Sequence, residues 1–523
     1  MEQVRKLPIG IQSFEKLRSE GYLYVDKTED VYRMASTSIP YFLSRPRRFG
    51  KSLLLSTFQA YFEGRKDLFE GLAISALETK WEKFPVLHLD LNAEKFDSIE
   101  RLDAILSGCL DEWEDLYGKD EREKTLSRRF AGVIRRAYEK TDKRVVILID
   151  EYDKPMLSAI LDKKLYEEYR KTLKAFYGVL KSSDRYLRFV FLTGVAKFAQ
   201  VSVFSDLNQL VDVSIKSDYA SLCGITKEEL LHVFTPELKI LADKQQMTFN
   251  EAVEKMIRQY DGYHFAPDAA GLFNPFSVLN ALNFGDFDSY WFQSGTPTYL
   301  VELLKNSNYD LRLLIEGIEL EPFAFTEYRA DADNPIPMIY QSGYLTISNY
   351  DKKLGLYTLR FPNDEVRYGF LKFLMPYYTP ISDCESGFHI AKFYRELEAG
   401  APDAFMERLK VFFAKIPYEL SNDNERHYQA VFYIVFTLIG QYTEVEVRSA
   451  SGRADAVVKT KDYIYVFEFK LDGSAEDALK QIDDKEYLLP YQLDGRKLIK
   501  IGVDFSRKKR NINNYLVDEM QLN

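Results

Sequence analysis

Apolar residues in the first part of the chain form short continuous runs, and the stretches between them have the spacing of amphipathic helices. Such runs lie at residues 41–43, within 144–150 and at 189–192, and residues 85–91 (PVLHLDL) give another strand. Continuous apolar runs are typical of parallel strands buried on both faces, whereas half-exposed strands alternate between apolar and polar residues. Strands that alternate with helices predict a doubly wound parallel sheet with flanking helices, and we expect this α/β domain to span residues 1–225.

After residue 225 the pattern becomes mostly helical and then returns to a mixture of strands and helices. Helical periodicity dominates residues 226–375, which we interpret as a lid or arm. Residues 376–523 are predicted to form a separate α/β domain. Its predicted order is a helix (424–441), a strand (443–448), a strand that begins at Asp455, a strand (463–471) and a helix from Ala475.

The turn after the first apolar run has the residues of a phosphate-binding loop. It ends in Gly50-Lys51-Ser52, although the glycine expected five residues before Gly50 is replaced by Arg45. Backbone N–H groups at the start of a helix face an anion, Lys51 would reach the β- and γ-phosphates, and Ser52 would bind Mg²⁺. The predicted ATP-binding residues are Arg47, Arg48, Phe49, Gly50, Lys51, Ser52 and Leu53. The alternative is a basic turn that binds nothing.

Two later strand ends add acidic and polar groups to this prediction. Asp150 ends the strand in the segment RVVILIDEYD, where a phosphate-bound Mg²⁺ needs an acidic ligand, and Glu151 could polarise the attacking water. Thr193 ends the next strand and could sense the γ-phosphate. Because functional groups of open α/β sheets gather at the carboxyl ends of the strands, these positions agree with one ATP site. An acidic turn and an ordinary Thr-Gly strand end are the alternatives.

A different set of polar residues occurs in the predicted C-terminal domain. Glu468 and Lys470 lie two residues apart on one strand and therefore share a face, and Asp455 on the adjacent strand can meet them. Asp455, Glu468 and a backbone carbonyl would hold Mg²⁺ or Mn²⁺, which lowers the pKa of a bound water, while Lys470 would orient that nucleophile. Glu425 could hold a metal-bound water or a second ion, and Gln481 could position the lysine. The alternative is an amphipathic hairpin with ordinary ion pairs.

Composition limits the classes of protein that these motifs fit. At 523 residues the chain exceeds one ordinary domain, and its 46% hydrophobic and 29% charged residues are typical of globular proteins. No apolar run is long enough for a transmembrane helix, and the N-terminus lacks the apolar core of a signal peptide. The three cysteines lie far apart, so we expect a protein of the reducing cytoplasm without a membrane partner.

The net charge of −10 argues against a protein that coats nucleic acid with its whole surface. Two basic clusters stand out nevertheless. We attribute the first cluster, which contains Arg45, Arg47, Arg48 and Lys51, to phosphate binding. The second cluster, residues 507–510 (RKKR), is either a solvated turn or a contact to DNA.

Taken together, the motifs resemble a known family. Over nearly its whole length the chain is similar to the bacterial AAA-ATPase-like family whose members carry a C-terminal PD-(D/E)XK nuclease-superfamily domain. The similarity is carried by LPIGIQSFEKLR, YVDKT, FLSRPRRFGKSLLLSTF, LIDEYD, YDGYHF, NPFSVLNAL, YWFQSGTP, GRADAVV, VFEFKL and QIDDKEY. The family itself has the RPRRFGKS form, so Arg45 is no departure from it. Ala454 stands where the nuclease signature has a leading proline.

This resemblance implies an N-terminal P-loop ATPase and a C-terminal domain with the α/β fold of restriction endonucleases. It assigns Lys51 and Ser52 to nucleotide binding, and Asp150 and Glu151 to the acidic pair. It assigns the nuclease roles to Glu425, Asp455, Glu468, Lys470 and Gln481.

The function expected from both sets of residues is ATP-dependent cleavage of nucleic acid, with DNA as the first candidate, in defence or control of mobile elements. A competing hypothesis is a nucleotide-driven switch or scaffold whose nuclease-like domain binds without cutting. A phosphotransferase would need an acceptor site that the sequence does not indicate. An arginine finger from a neighbouring subunit would require a homo-oligomer, and Arg185 and Arg188 are the candidates.

Overall fold

The computed structural model describes residues 5–92, 95–197, 209–294, 300, 304, 313–314, 317–326, 334–379, 383–414, 425–447 and 454–520. The chain divides into two compact units, residues 1–309 with 318–363 and residues 310–317 with 364–523. Among the described helices, none combines the length and the apolar character that crossing a lipid bilayer requires.

The first unit is built around a five-stranded sheet in which every paired strand is parallel to its neighbour. Its strands β1 to β5 are Pro40–Ser44, Val86–Asp90, Val145–Asp150, Leu187–Gly194 and Val211–Asp212. Every residue of β3 is buried. The predicted parallel sheet with flanking helices is therefore confirmed.

The order of these strands across the sheet is β2-β3-β4-β1-β5. β4 therefore lies between β1, which leads into the phosphate-binding turn, and β3, which ends at Asp150. Because the strands are parallel, Ser44, Asp150 and Gly194 end at the same edge of the sheet. The two predicted halves of the ATP site consequently flank the end of β4.

The helices of the first unit surround this sheet and continue into a helical middle region. They are Phe14–Ser19, Thr28–Ala35, Lys51–Phe62, Ile74–Leu77, Ile99–Tyr117, Leu126–Thr141, Lys154–Ser158, Lys163–Ser182, Lys227–Val233, Thr235–Lys244, Phe249–Tyr260, Pro275–Phe284, Tyr290–Gln293, Phe323–Thr326 and Ile336–Gln341. Two small antiparallel sheets accompany the middle region. One pairs β6 (Ile225–Thr226) with β7 (Leu272–Phe273), and the other has the order β8 (Ile318–Leu320), β10 (Leu356–Arg360), β9 (Thr346–Asp351).

The second unit is a five-stranded mixed sheet with helices. Its strands β11 to β15 are Glu444–Val447, Ala456–Lys459, Tyr463–Leu471, Lys497–Ser506 and Asn511–Glu519, in that order across the sheet. Only β13 and β14 are parallel. The helices are Asp364–Tyr378, Asp383–Glu398, Pro402–Ala414, Glu425–Ile439 and Ala475–Asp484. This confirms the predicted C-terminal α/β domain.

The helix Ala475–Asp484 connects β13 to β14 and packs closely on the sheet. A Cβ atom on Gly502 of β14 would lie 2.4 Å from the carbonyl oxygen of Ala475, so a larger residue would push the helix away. Ile482 on the same helix packs against Val466 and Leu498 in the core. Glycine at position 502 therefore permits the close approach of this helix to the sheet. The same helix carries Gln481, the neighbour of Ile482, near β13.

The predicted domain boundary at residue 376 lies inside a helix rather than in a linker. The helix Asp364–Tyr378 belongs to the second unit and contains Pro376 near its end. A proline in the last turn of a helix removes one hydrogen bond without preventing the preceding turns from forming. Residue 376 therefore lies near the end of a helix, and the boundary there, like the three-part division of the chain, stays a prediction.

Candidate functional site

The phosphate-binding turn begins where β1 ends and leads directly into the helix Lys51–Phe62. Gly50 caps this helix with φ of 92°, and Arg48 has φ of 67°. Nothing lies within 4 Å of a Cβ built on Gly50, so the backbone conformation rather than space favours glycine there. Gly50, Lys51, Ser52 and Leu53, which begin this helix, line the cavity beside the turn, and the N–H groups at a helix start have no acceptor within the helix.

The side chain of Lys51 lies inside this turn, with only 4% of its surface exposed. Its Nζ donates to the carbonyl oxygens of Arg45 (3.1 Å) and Pro46 (3.3 Å). The same atom lies 3.5 Å from Oε1 of Glu151, which follows β3. Lys51 thereby connects the phosphate-binding turn to the acidic strand end, as expected for two halves of one site.

Arg45 does not face the cavity, so its assignment to phosphate binding is wrong. Its buried guanidinium donates to the carbonyl oxygens of Ser44, Ser214, Tyr219 and Ala220. It also lies 4.1 Å from the ring centroid of Phe265. Burial lowers the pKa of this guanidinium to about 10. Arg45 therefore links the turn to residues 214–220 through hydrogen bonds in the protein interior.

Residues 47–49 of the turn divide between the cavity and the protein interior. The carbonyl oxygen of Arg47 accepts a hydrogen bond from Nε1 of Trp291 at 3.1 Å. The exposed Arg48 lies 4.9 Å from the ring centroid of Phe276. Phe49 is buried against Tyr263 and Phe265. Phe49 is therefore an anchor of the turn, and only its backbone is left for the predicted contact with ATP.

The acidic strand end is held rigidly by its neighbours. Asp150 is buried, and its Oδ1 accepts hydrogen bonds from the hydroxyl of Thr193 and from the backbone N–H of Glu151. Glu151 has φ of 51°, an uncommon conformation for a residue with a side chain. The hydroxyl of Thr193 is thus directed at Asp150, and its predicted contact with the γ-phosphate stays a prediction.

Asp153 is an acidic residue of this region to which the sequence pattern assigned no role. It is fully buried and accepts hydrogen bonds from the backbone N–H groups of Val195 and Ala196. Burial, reinforced by Glu151, raises the pKa of Asp153 to about 7. A Cβ on Gly194 would lie 2.5 Å from Oδ1 of Asp153, so glycine permits this contact. The third acidic residue of the DEYD segment was the available signal.

A cavity of about 300 Å³ lies beside the turn. Its charged and polar lining residues include Arg47, Arg48, Lys51, Ser52, Asn92, Glu151 and Lys154. Four cations therefore surround this cavity together with a single carboxylate. A second cavity of about 100 Å³ shares Gly50 and Leu53 with it and is lined mostly by apolar side chains, among them Leu23, Val25, Leu54 and Ile225.

The two candidate arginine fingers lie at the start of β4, at the other end of the strand from Thr193. Arg188 donates to the backbone carbonyl oxygens of Ala35 and Thr37, which occupies its guanidinium. Arg185 is exposed and lies over the ring of Tyr186. Arg185 thus fits the hypothesis of a finger for a neighbouring subunit better than Arg188 does.

The second unit brings together four of the five predicted nuclease residues. Glu468 is 3% exposed, and its Oε1 accepts hydrogen bonds from Gln481 and from Lys470, the latter at 3.4 Å. Its Oε2 is buried and has no hydrogen-bond partner among the residues that the structure describes. Burial, with the nearby Asp455 adding to it, raises the pKa of Glu468 to about 7. Glu468 therefore offers an open oxygen.

The neighbours of Glu468 are fixed by contacts of their own. Nζ of Lys470 donates to Oε1 of Gln481, and Nε2 of Gln481 lies 3.4 Å from the hydroxyl of Tyr487. Oδ2 of Asp455 accepts from the backbone N–H of Phe469 at 2.8 Å, and burial raises the pKa of Asp455. The order of strand and helix predicted this assembly, although Tyr487 was missed.

Glu425 is the first residue of the helix Glu425–Ile439, and its side chain lies outside the described part of the chain. Within that described part, no group of three or more histidine, cysteine, aspartate or glutamate side chains is arranged to hold a metal ion. The roles of Ser52, Asp150, Asp455 and Glu468 as metal ligands therefore stay predictions.

The basic cluster 507–510 forms the turn between β14 and β15. The backbone N–H of Arg507 donates to Oδ1 of Asp472, which directly follows β13, at 2.9 Å. Because β13 and β14 are parallel, this turn lies at the same end of the sheet as Lys470.

Comparison with known proteins adds family relationships to this geometry. Residues 8–204 match the model of the AAA-ATPase-like family, which is described as a predicted AAA-ATPase. Residues 423–515 match the model of the PD-(D/E)XK nuclease superfamily. A protein of Azotobacter chroococcum mcd 1, described as an uncharacterized protein in the vnfD 5' region, is 34% identical over 530 residues, which cover 99% of both chains.

Proposed function

Because this chain belongs to the family of AAA-ATPase-like proteins with a C-terminal PD-(D/E)XK nuclease domain, we propose that it hydrolyses ATP and cleaves nucleic acid under control of that hydrolysis. The observation that carries the cleavage step is the buried Oε2 of Glu468, which has no hydrogen-bond partner in the described part of the chain and lies next to Lys470 and Gln481. A buried carboxylate oxygen without a donor is costly unless a ligand completes it.

Binding of ATP is supported by the charges of the larger cavity. A triphosphate carries several negative charges, and Arg47, Arg48 and Lys51 line the space that it would occupy. The N–H groups at the start of the helix Lys51–Phe62 and the hydroxyl of Ser52 complete the set of donors. The adjoining apolar cavity provides a place for the base. Glu151, whose side chain also lines the cavity, would accept a proton from the attacking water.

Cleavage would depend on Asp455 and Glu468 as ligands of Mg²⁺ or Mn²⁺. Both are carboxylates, the ligand type that these cations prefer, and the open Oε2 of the buried Glu468 fits a cation. A bound divalent cation supplies a water of lowered pKa and neutralises charge on the phosphodiester. Lys470, held by Gln481, would orient the nucleophile, and Glu425 would assist from the preceding helix.

The remaining expectations belong to the same proposal. The ATPase part would comprise residues 1–225, the arm 226–375 and the nuclease part 376–523. DNA is the proposed substrate, a homo-oligomer the proposed assembly, and the bacterial cytoplasm the proposed location. The proposed biological role of ATP-controlled cleavage is defence or control of mobile elements.

The decisive experiment incubates the full chain with plasmid, linear and single-stranded DNA and with RNA, in Mg²⁺ or Mn²⁺, with and without ATP. We expect cleavage that changes with ATP. Glu468→Gln should lower cleavage by roughly a thousandfold or more without affecting ATP hydrolysis, because it removes a charged metal ligand. Lys51→Ala should abolish the effect of ATP and leave metal-dependent cutting intact.

The outcome that contradicts the proposal is ATP hydrolysis without cleavage of any substrate. That result would support the competing function, a nucleotide-driven switch whose nuclease-like domain binds a partner. Cleavage that persists in Glu468→Gln would instead point to a contaminating nuclease.

A further inference from the structure

Lys154 is a second lysine at the ATP cavity, on the opposite side of β4 from Lys51. Its backbone N–H donates to the carbonyl oxygen of Glu151 at 2.9 Å, so the two residues belong to one tight turn after β3. Pro155 follows it at the start of the short helix Lys154–Ser158 and restricts the backbone there. Both Glu151 and Lys154 line the cavity of about 300 Å³.

The contacts of Lys154 leave its charge available. Its Nζ donates to Oδ1 of Asn92, which follows β2, at 3.1 Å. This partner is a neutral amide, and within the described part of the chain no carboxylate forms an ion pair with Lys154. Lys51, by contrast, lies 3.5 Å from Glu151 and donates to two carbonyl oxygens. Exchanging an amide oxygen for a phosphate oxygen strengthens a lysine hydrogen bond, because the new acceptor is charged.

The strand order explains why two lysines reach one space from different elements. β4 separates β1 from β3, so Lys51 enters the cavity from the phosphate-binding turn and Lys154 enters from the turn after β3. Glu151 lies in the same turn as Lys154 and contacts Lys51. A phosphoryl group bound at Lys51 would therefore have the predicted base and a second cation on its far side.

We propose that Lys154 is a catalytic cation that the chain supplies to its own ATP site, an inference that depends on the proposed ATP hydrolysis. With ATP bound, the ammonium group moves from Asn92 to the γ-phosphate oxygens and stabilises the charge that grows on them. Water attacks the γ-phosphorus, its proton passes to Glu151, and the bond to the bridging oxygen breaks with its electron pair remaining on ADP. No arginine from a neighbouring subunit is then required for this charge.

The test compares Lys154→Ala, Lys154→Arg and a control, Lys164→Ala, in which an exposed lysine on the helix Lys163–Ser182 is removed. Phosphate release gives kcat and KM for ATP, and a fluorescent ATP analogue gives the affinity. We expect Lys154→Ala to lower kcat roughly a hundredfold with KM changed less than about threefold, because the contact forms mainly in the transition state. Lys154→Arg should recover part of this loss, and Lys164→Ala should match the wild type.

Three results would overturn the inference. One is a kcat for Lys154→Ala close to that of the wild type, and another is a rise in KM alone, which indicates a contact made equally in the ground state. The third is a wild-type turnover per chain that rises with protein concentration and survives Lys154→Ala, since this would assign the charge to a neighbouring copy. A wild type that binds ATP without hydrolysing it would overturn the proposed function as well, whereas a hydrolysing wild type confines the failure to Lys154. Thermal unfolding of each variant confirms that it folds.

Discussion

Each unit of this chain buries a carboxylate whose pKa is raised to about 7, and the two differ in what their oxygens contact. In the first unit, Asp153 accepts hydrogen bonds from the backbone N–H groups of Val195 and Ala196. In the second unit, Oε1 of Glu468 accepts hydrogen bonds from side chains, whereas its buried Oε2 has no hydrogen-bond partner within the described ranges.

This difference separates burial from function. Burial disfavours the charged form of both carboxylates and raises both pKa values, so the shift alone does not identify a reactive site. Asp153 joins the end of β3 to the chain after β4, which is a structural task. Glu468 keeps one oxygen for a ligand, and we infer that a cation is the ligand that would complete it.

The same contrast extends to the surroundings of the two sites. Arg47, Arg48, Lys51 and Lys154 surround one carboxylate in the first unit, so the cavity suits an anion. In the second unit the charge of Asp455 raises the pKa of Glu468 further. A bound cation would offset the repulsion between these two carboxylates. These charges support the proposal that the first site binds a polyphosphate and the second a metal ion.

The largest expected effect concerns the pH dependence of cleavage. Glu468 must be ionised to hold a cation, so cleavage at low Mg²⁺ should fall roughly tenfold for each pH unit below about 7. Because a cation favours the ionised form, higher Mg²⁺ should move the midpoint to lower pH. Cleavage rates from about pH 5.5 to about 8.5 at low and high Mg²⁺ provide the measurement.

A matched variant sharpens this prediction. Asp153→Asn removes the carboxylate of the first unit whose pKa is raised to about 7, and it should leave the pH midpoint of cleavage unchanged. The folded chain binds a proton at Glu468 more tightly than the unfolded chain does, so unfolding free energy should fall as pH rises towards about 7. Glu468→Gln should remove that contribution. A midpoint that ignores Mg²⁺ would contradict the assignment of an open oxygen.

An intermediate effect is expected from Thr193→Val, which removes the hydroxyl that donates a hydrogen bond to Oδ1 of Asp150. Loss of a buried hydrogen bond to a charged group should lower the unfolding free energy by about 1.5–3 kcal/mol without nucleotide. A less constrained Asp150 should also reduce ATP turnover roughly tenfold. Thr193→Ser keeps the hydroxyl and is the control, and denaturant unfolding with a phosphate-release assay measures both. Unchanged stability with slow turnover would instead favour direct sensing of the γ-phosphate.

The smallest effect is expected from the turn 507–510. If its lysines contact nucleic acid, Lys508→Ala with Lys509→Ala should reduce the slope of log affinity against log salt by about 0.9 for each lost phosphate contact. Lys461→Ala, an exposed lysine before β13 at the other end of that strand, is the control. Fluorescence anisotropy with labelled DNA in a Glu468→Gln background avoids cleavage. An unchanged slope would identify the turn as solvated.

The residues that the sequence could predict are those whose placement depends on local periodicity. Glu468 and Lys470 share a face because side chains alternate along a strand, and Gln481 reaches them because a helix follows directly. Gly50 and Lys51 could be placed for the same reason, since a strand, a turn and a helix succeed one another without interruption.

The contacts that prediction missed depend on strands that are distant in sequence. Arg45 reads as a phosphate ligand in the sequence, yet its partners lie about 170 residues away, at Ser214 and Tyr219. Asp153 and Lys154 acquire their surroundings only because β4 lies between β1 and β3. A periodic pattern predicts which residues share a face of a helix or strand, but it does not predict which other elements pack against that face. These roles could therefore be assigned only from the folded structure.

The hydrogen bond from the indole of Trp291 to the carbonyl oxygen of Arg47 gives the protein a built-in optical reporter. Indole emission responds to the polarity and hydrogen bonding around the ring, and this ring touches the backbone of the turn that is proposed to hold phosphate. The chain contains three tryptophans, and the other two are Trp81 and Trp113. Replacing those two by phenylalanine would leave a single tryptophan, whose emission would follow each occupation of the turn in real time.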